Sequence, residues 1–165
     1  MREIKQEADV AITLSLGERD FADYESWRKA GADRYLMKHE TANPTLYARL
    51  HPGKTLKERL SALAFLQELG YEIGLGCMAG LPGQTLEDLA EDILLIHRLQ
   101  ADMAGIGPFL PQKDTPLGGH PPGDLTLTIK VLALVRLISK DIHLPATTAT
   151  ATIDPEQGVF QALKA

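Results

Sequence analysis

The sequence is short of most features that announce a function at once. Its 165 residues include one cysteine, Cys77, so neither an internal disulfide nor a three-thiolate cluster site can form within them. No Lys/Arg run occurs, and a net charge of -5 argues against a nucleic-acid partner. The longest strongly apolar run, Val131 to Ile138, is interrupted by Arg136 and is too short to cross a bilayer. Nothing after Met1 reads as a signal peptide, and together with the lone thiol this predicts a cytoplasmic protein with no membrane partner. No lysine closes a glycine loop in the manner of a nucleotide-triphosphate site. The five histidines show no paired spacing of the kind that binds zinc, and no Ser/His/Asp or Cys/His arrangement can be assembled. What remains is an ordinary hydrophobic share of 44%, enough for one globular domain with a sizeable core.

Strand and helix patterns alternate along that core. Val10 to Leu16, Asp33 to His39, Tyr71 to Ala79, Met103 to Phe109 and His143 to Thr148 read as strands. Helical faces follow them: Phe21, Tyr24 and Trp27 up to Gly31, a helix opened by the capping box Thr55-Leu56-Lys57-Glu58, and another from Thr85. A further helix is expected from about Leu125 to Lys140, and Pro155 is expected to start the last. Met1 opens in the tail of a helix. Short αβ turns imply an all-parallel sheet, which fits either a doubly wound fold or a (βα)₈ barrel. The barrel is favoured, because polar residues gather after nearly every strand: Ser15 and Glu18, Lys38 to Thr41, Cys77 and Met78, Thr147 and Thr148. About five strands make this an α/β partial barrel of TIM type, with residues 1–165 as the central to C-terminal portion of one domain. Two sheet edges and an apolar wall should then lie open.

The stretch Arg34 to Pro44 carries the chemistry. Alternation puts Arg34, Lys38 and Glu40 on one face of the strand with Leu36 among them. Ionisable groups there need a charged ligand or each other, so both a polar ligand site and an ion-pair row fit. His39, beside Glu40, is the one histidine with a claim on such a site. Arg59 opposes the helix dipole, yet its planar fork could reach a carboxylate over the mouth of the barrel. Thr147 and Thr148 put hydroxyls at the last strand end. Gly74-Leu75-Gly76-Cys77-Met78-Ala79 matches a loose dinucleotide pattern but lies inside a strand, so its glycines are read as places of close approach. Cys77 is read as a small buried residue, with a place in the pocket lining as the alternative.

Four motifs then occur in order: His39-Glu40-Thr41-Ala42-Asn43-Pro44, Gly80-Leu81-Pro82-Gly83-Gln84-Thr85, Gly105-Ile106-Gly107-Pro108-Phe109 and Pro145-Ala146-Thr147-Thr148-Ala149. Together they resemble the radical S-adenosylmethionine (SAM) enzymes in the branch of the FeFe-hydrogenase maturase HydE, relatives of biotin synthase and methylornithine synthase. The resemblance implies a (βα)₈ barrel, a 4Fe-4S cluster and SAM, whose reductive cleavage yields a 5′-deoxyadenosyl radical for maturation of the hydrogenase active site. It places Glu40, Arg59, Met78, Met103 and Ile106 around SAM. Thr13, Arg34, Lys38, Thr147, Thr148 and Ala149 fall where the family lines its substrate cavity, for a small molecule or a small iron complex. Other hydrogenase maturation proteins are the implied partners. Lys38 stands where an arginine is expected, which keeps the charge but loses the fork. The cluster-ligating Cys-x₃-Cys-x₂-Cys loop, the motif of the second strand and the eighth strand are not found, so the chain is expected to be inactive alone. Sulfur insertion of the biotin synthase type, a methylornithine-synthase-like rearrangement, and a non-catalytic half-barrel that needs a partner chain are the alternatives.

Overall fold

All 165 residues are described by the computed structural model, and strand and helix alternate through it. The strands are β1 (Thr13–Leu14), β2 (Arg34–Leu36), β3 (Glu72–Leu75), β4 (Met78–Ala79), β5 (Met103–Ala104) and β6 (Gly107–Pro108). The helices are α1 (Arg2–Glu7), α2 (Phe21–Lys29), α3 (Pro44–Leu50), α4 (Leu56–Glu68), α5 (Leu86–Arg98), α6 (Leu125–Ile138), α7 (Thr148–Ile153) and α8 (Gly158–Lys164). A four-stranded sheet runs in the order β1-β2-β3-β5, every pairing parallel, and β4 pairs parallel with β6 beyond it. The sheet is an open arc. β1 has one strand neighbour, and beyond β5 there is only a single bridge from Met103 to His143.

Local chemistry explains the helix starts. Thr55 and Glu58 form the expected capping box, and Thr85 with Asp88 forms a second at the head of α5. Glycine closes α2 and α4: Gly31 and Gly70 sit at positive φ where the chain turns back toward the sheet. Between sheet and helices lies one cluster of 23 buried hydrophobic residues. The scarce aromatics concentrate there, with Tyr35 edge-on to Tyr24 and Tyr71 and stacked against Trp27. Alternation along β2 therefore sends Tyr35, Met37 and His39 into this layer, and Arg34, Leu36, Lys38 and Glu40 to the concave side.

Four expectations change. The strand over Tyr71 to Ala79 is split into β3 and β4, and that over Met103 to Phe109 into β5 and β6. The splits fall where Gly76 and Gly105 pass so closely that a Cβ on Gly76 would lie 2.2 Å from the Gly105 oxygen. His143 to Thr148 is not a strand beyond His143, because Pro145 has no N–H to pair and Thr148 already begins α7. The last helix starts at Gly158, after a turn in which Asp154 accepts from the Glu156 and Gln157 N–H groups. Helix α3 is additional to the helices expected. Asn43 accepts from the N–H groups of Thr45 and Leu46, and Pro44 fills the first position of α3.

Candidate functional site

At the C-terminal ends of the strands, polar side chains meet a floor of glycine. The Lys38 side chain crosses the backbone of Gly76, with its Cε 2.9 Å from where a Cβ would stand, and approaches Gly105. Its Nζ lies 3.8 Å from Glu40 Oε2. Glu40 has φ 66°, a left-handed conformation that is costly for a residue with a Cβ. Backbone bonds brace it on both sides: its N–H donates to Gly76 O, and its carbonyl accepts from Met78 N–H. Yet Glu40 Oε2 is buried with no hydrogen-bond donor. Across the floor Thr147 Oγ1 would lie 2.6 Å from a Cβ on Gly107, and it too is buried without a partner. Buried polar atoms are ordinarily satisfied. Two of the four such atoms in the chain, the others being His39 Nδ1 and His51 Nδ1, thus lie at this sheet end, which makes it the candidate site.

Arg59 reaches the same end of the sheet from the first turns of α4. Its Nη1 donates to the Lys38 carbonyl at 2.7 Å, its Nε to Glu18 Oε1 at 2.9 Å, and its guanidinium lies 5.5 Å from the Tyr47 ring centroid. Glu18 also takes Lys54 and the Tyr47 hydroxyl. Burial pushes the Glu18 carboxyl up, but hydrogen bonds from Lys54 and Arg59 outweigh this and hold it below the usual carboxylate range. Glu18 is a functional candidate that the motifs did not single out. The visible signal was its position just past a strand end.

The site residues expected from sequence do not all converge. Lys38, Glu40, Arg59 and Met78 lie at the strand ends, and Thr147 with Ala149 covers Gly107 beside them. Thr148 is exposed as the first residue of α7. Met103 pairs with Gly74, lower on the concave face. Ile106 is fully buried in the sheet–helix core. Thr13 is exposed and pairs with Arg34 at the opposite, N-terminal end, where Arg34 forms an ion pair with Glu72. The expected row of ionisable groups is thus divided into two pairs, with Leu36 between them.

His39 takes no part in the concave face. Its Nε2 lies 3.2 Å from Asp92 Oδ1 on α5, with both side chains fully buried and Cys77 beside them. Burial pushes the Asp92 carboxyl above its usual range despite the His39 hydrogen bond, and it pushes the Cys77 thiol well up. Asp92 takes the Ala42 N–H, the Gln84 amide and His39 Nε2, while His39 Nδ1 on the far side of the ring is buried without a hydrogen bond.

A family model for the radical SAM superfamily matches residues 1–96, more than half of the chain. The chain belongs to that superfamily. Among curated relatives of this radical SAM chain, the FeFe hydrogenase maturase subunit HydE of Thermotoga maritima is 53% identical over 155 residues, 94% of this chain and 44% of that one. The 3-methylornithine synthase of Methanosarcina acetivorans is 30% identical over 92% of this chain and 43% of its own. A crystal structure of methylornithine synthase superposes with a TM-score of 0.87 at 26% identity, over 98% of this chain and 47% of that one. The radical SAM chain therefore spans less than half the length of these relatives, and its open sheet is a partial barrel of their type.

The superfamily's cofactors are SAM and a 4Fe-4S cluster. The single thiol here is buried in the core, so a cluster does not fit these residues. SAM does fit. Its ammonium and hydroxyl groups are donors, and Glu40 Oε2 is a buried acceptor without one. No helix is long and apolar enough to cross a membrane.

Proposed function

We propose that this chain is the SAM-binding and substrate-lining portion of a HydE-like maturase that builds the active-site cluster of FeFe-hydrogenase. The observation that carries the reading is Glu40: a strained, strand-end carboxylate with one buried oxygen lacking a donor. The 53% identity to HydE supports the choice of branch. Glu40 would accept from the ribose hydroxyls or the ammonium group of SAM. Arg59, with only two of its five N–H groups engaged, would hold the SAM carboxylate. Met78 and Met103 would line the adenosine, with Ile106 packed behind the backbone. When bound in the complete enzyme, SAM supplies a 5′-deoxyadenosyl radical.

Lys38, Thr147, Thr148 and Ala149 would face the substrate, a small molecule or small iron complex with anionic groups to meet the lysine. Thr13 and Arg34, on the same sheet at its far end, would meet a substrate that reached through the barrel interior. Other hydrogenase maturation proteins would be the partners, and the cytoplasm the compartment. A methylornithine-synthase-like rearrangement is the second reading, favoured by the close superposition on that enzyme.

Two experiments test this. Glu40→Gln and Arg59→Ala should each weaken SAM binding in calorimetry, with Arg59→Ala losing about 2 kcal/mol or more. Unchanged affinity in both sinks the assignment. A chimera carrying this chain in place of the matched 155 residues of Thermotoga maritima HydE should mature FeFe-hydrogenase. A folded chimera that binds SAM but matures nothing would exclude the maturase branch and leave the rearrangement.

A further inference from the structure

Asp92 does not touch the concave face, yet it grips the residues on both sides of Glu40. It is fully buried on α5. Its Oδ1 faces His39 Nε2 and accepts from the Ala42 N–H, so one oxygen binds the residue before Glu40 and the residue two places after it. Its Oδ2 accepts from Gln84 Nε2 at 3.3 Å. The Gln84 amide is itself fully used: Nε2 also donates to Met78 O at 2.9 Å, while Oε1 accepts from the N–H groups of Gly80 at 2.8 Å and Leu81 at 3.2 Å. One buried carboxylate thereby joins the end of β2 to the end of β4. Glu40 and Met78, joined by the bond from Met78 N–H to Glu40 O, stand at the two points it joins.

A fold that needed only packing at this place would do better with an apolar side chain, because burying a carboxylate is expensive. The position of Asp92 is explained by what it restrains. A left-handed glutamate persists only where its surroundings over-determine it. We infer that Asp92, acting with Gln84, is a positioning residue that holds Glu40 and Met78 in the conformation that receives SAM. The inference rests on the SAM reading of Glu40 given above, and its first test does not depend on that reading.

Asp92→Asn is the informative change. The asparagine oxygen can still serve His39 and Ala42, but its NH₂ then confronts the NH₂ of Gln84. Amide hydrogen exchange on the 165-residue chain should accelerate at least tenfold at Ala42, Met78 and Gly80, while Tyr35 and Ile73 in the sheet stay unchanged. The Kd for SAM should rise at least tenfold. Uniform acceleration over the whole sheet, or none, overturns the positioning role. So does local acceleration with unchanged affinity while Glu40→Gln loses affinity. If Asp92→Asn and Glu40→Gln both leave SAM affinity unaltered, the SAM role of both residues falls, and the exchange pattern still decides whether Asp92 restrains Glu40. Should Asp92→Asn not fold, half-buried Gln84→Ala puts the same question. Faster exchange at Met78 and Gly80 with weaker SAM binding upholds the inference, and wild-type behaviour overturns it.

Discussion

The two ends of the same strands are built on opposite rules. At the N-terminal end nearly every polar group has a protein partner. Arg34 pairs with Glu72, the Asp102 carboxylate takes the Ile73 N–H, and Asp33 takes both Lys5 and the Ile12 N–H. At the C-terminal end Glu40 Oε2 and Thr147 Oγ1 are buried without a hydrogen bond, Lys38 stands 3.8 Å from the carboxylate, and Glu40 is held in a left-handed conformation. One end is finished by the chain itself. The other is left incomplete at a cost in stability, which is how parallel α/β barrels divide function from support between their two faces.

The largest effect should come from crowding the glycine floor. Gly76→Ala would drive a Cβ to 2.2 Å from a backbone oxygen, which has no flexible end to move. It should cost about 3 kcal/mol or more in urea denaturation. Gly74→Ala meets chiefly the Leu36 Cδ1 terminus and should cost about 1 kcal/mol. Equal costs would mean that the floor is no tighter at the mouth than below it.

Glu40→Asn tests whether the mouth trades stability for binding. Asparagine tolerates the left-handed region better and removes the carboxylate oxygen that lacks a hydrogen bond, losing only the long contact with Lys38, so the variant should gain about 0.5–1 kcal/mol while SAM affinity falls. A loss of stability would show that Glu40 is satisfied in some other way. At the opposite end Arg34→Ala should cost under about 1 kcal/mol, since its ion pair with Glu72 is partly exposed.

A pH series separates the ends further. Glu18 titrates below its ordinary value in the folded chain, so its stabilisation is complete above the ordinary glutamate pKa of about 4.3. It is lost as pH falls through the lower folded value. Glu18→Gln should therefore narrow its stability deficit to the unaltered chain between about pH 5 and pH 3. A deficit independent of pH would mean that the Lys54 and Arg59 contacts contribute through packing alone.

Much of this was legible in the chain. The Thr55 capping box, the period-2 face of β2, and the reach of Arg59 to a strand end all follow from local chemistry, and each is present. Alternation tells which face a residue takes, but not which partner waits at each end. Arg34 meets Glu72 across 38 residues of sequence, and Asp92 meets Ala42 across 50. Neither pairing can be read without the sheet register. Helix α3 is not legible for another reason: Asn43-Pro44 suits a helix start and a strand end alike, and only the cap geometry decides. His39 has a claim on the site only through its place beside Glu40, and the alternation that turns Arg34, Lys38 and Glu40 to one face already sends it to the other.

The lone cysteine has a practical use. Cys77 is fully buried between the sheet and α5, with its thiol pushed well above the ordinary range. A maleimide or an oxidant should find no reactive thiolate while the layers stay closed, and one whenever they part. Without any engineered label, the rate of its modification would time the opening of the layer that supports the strand ends proposed to face SAM.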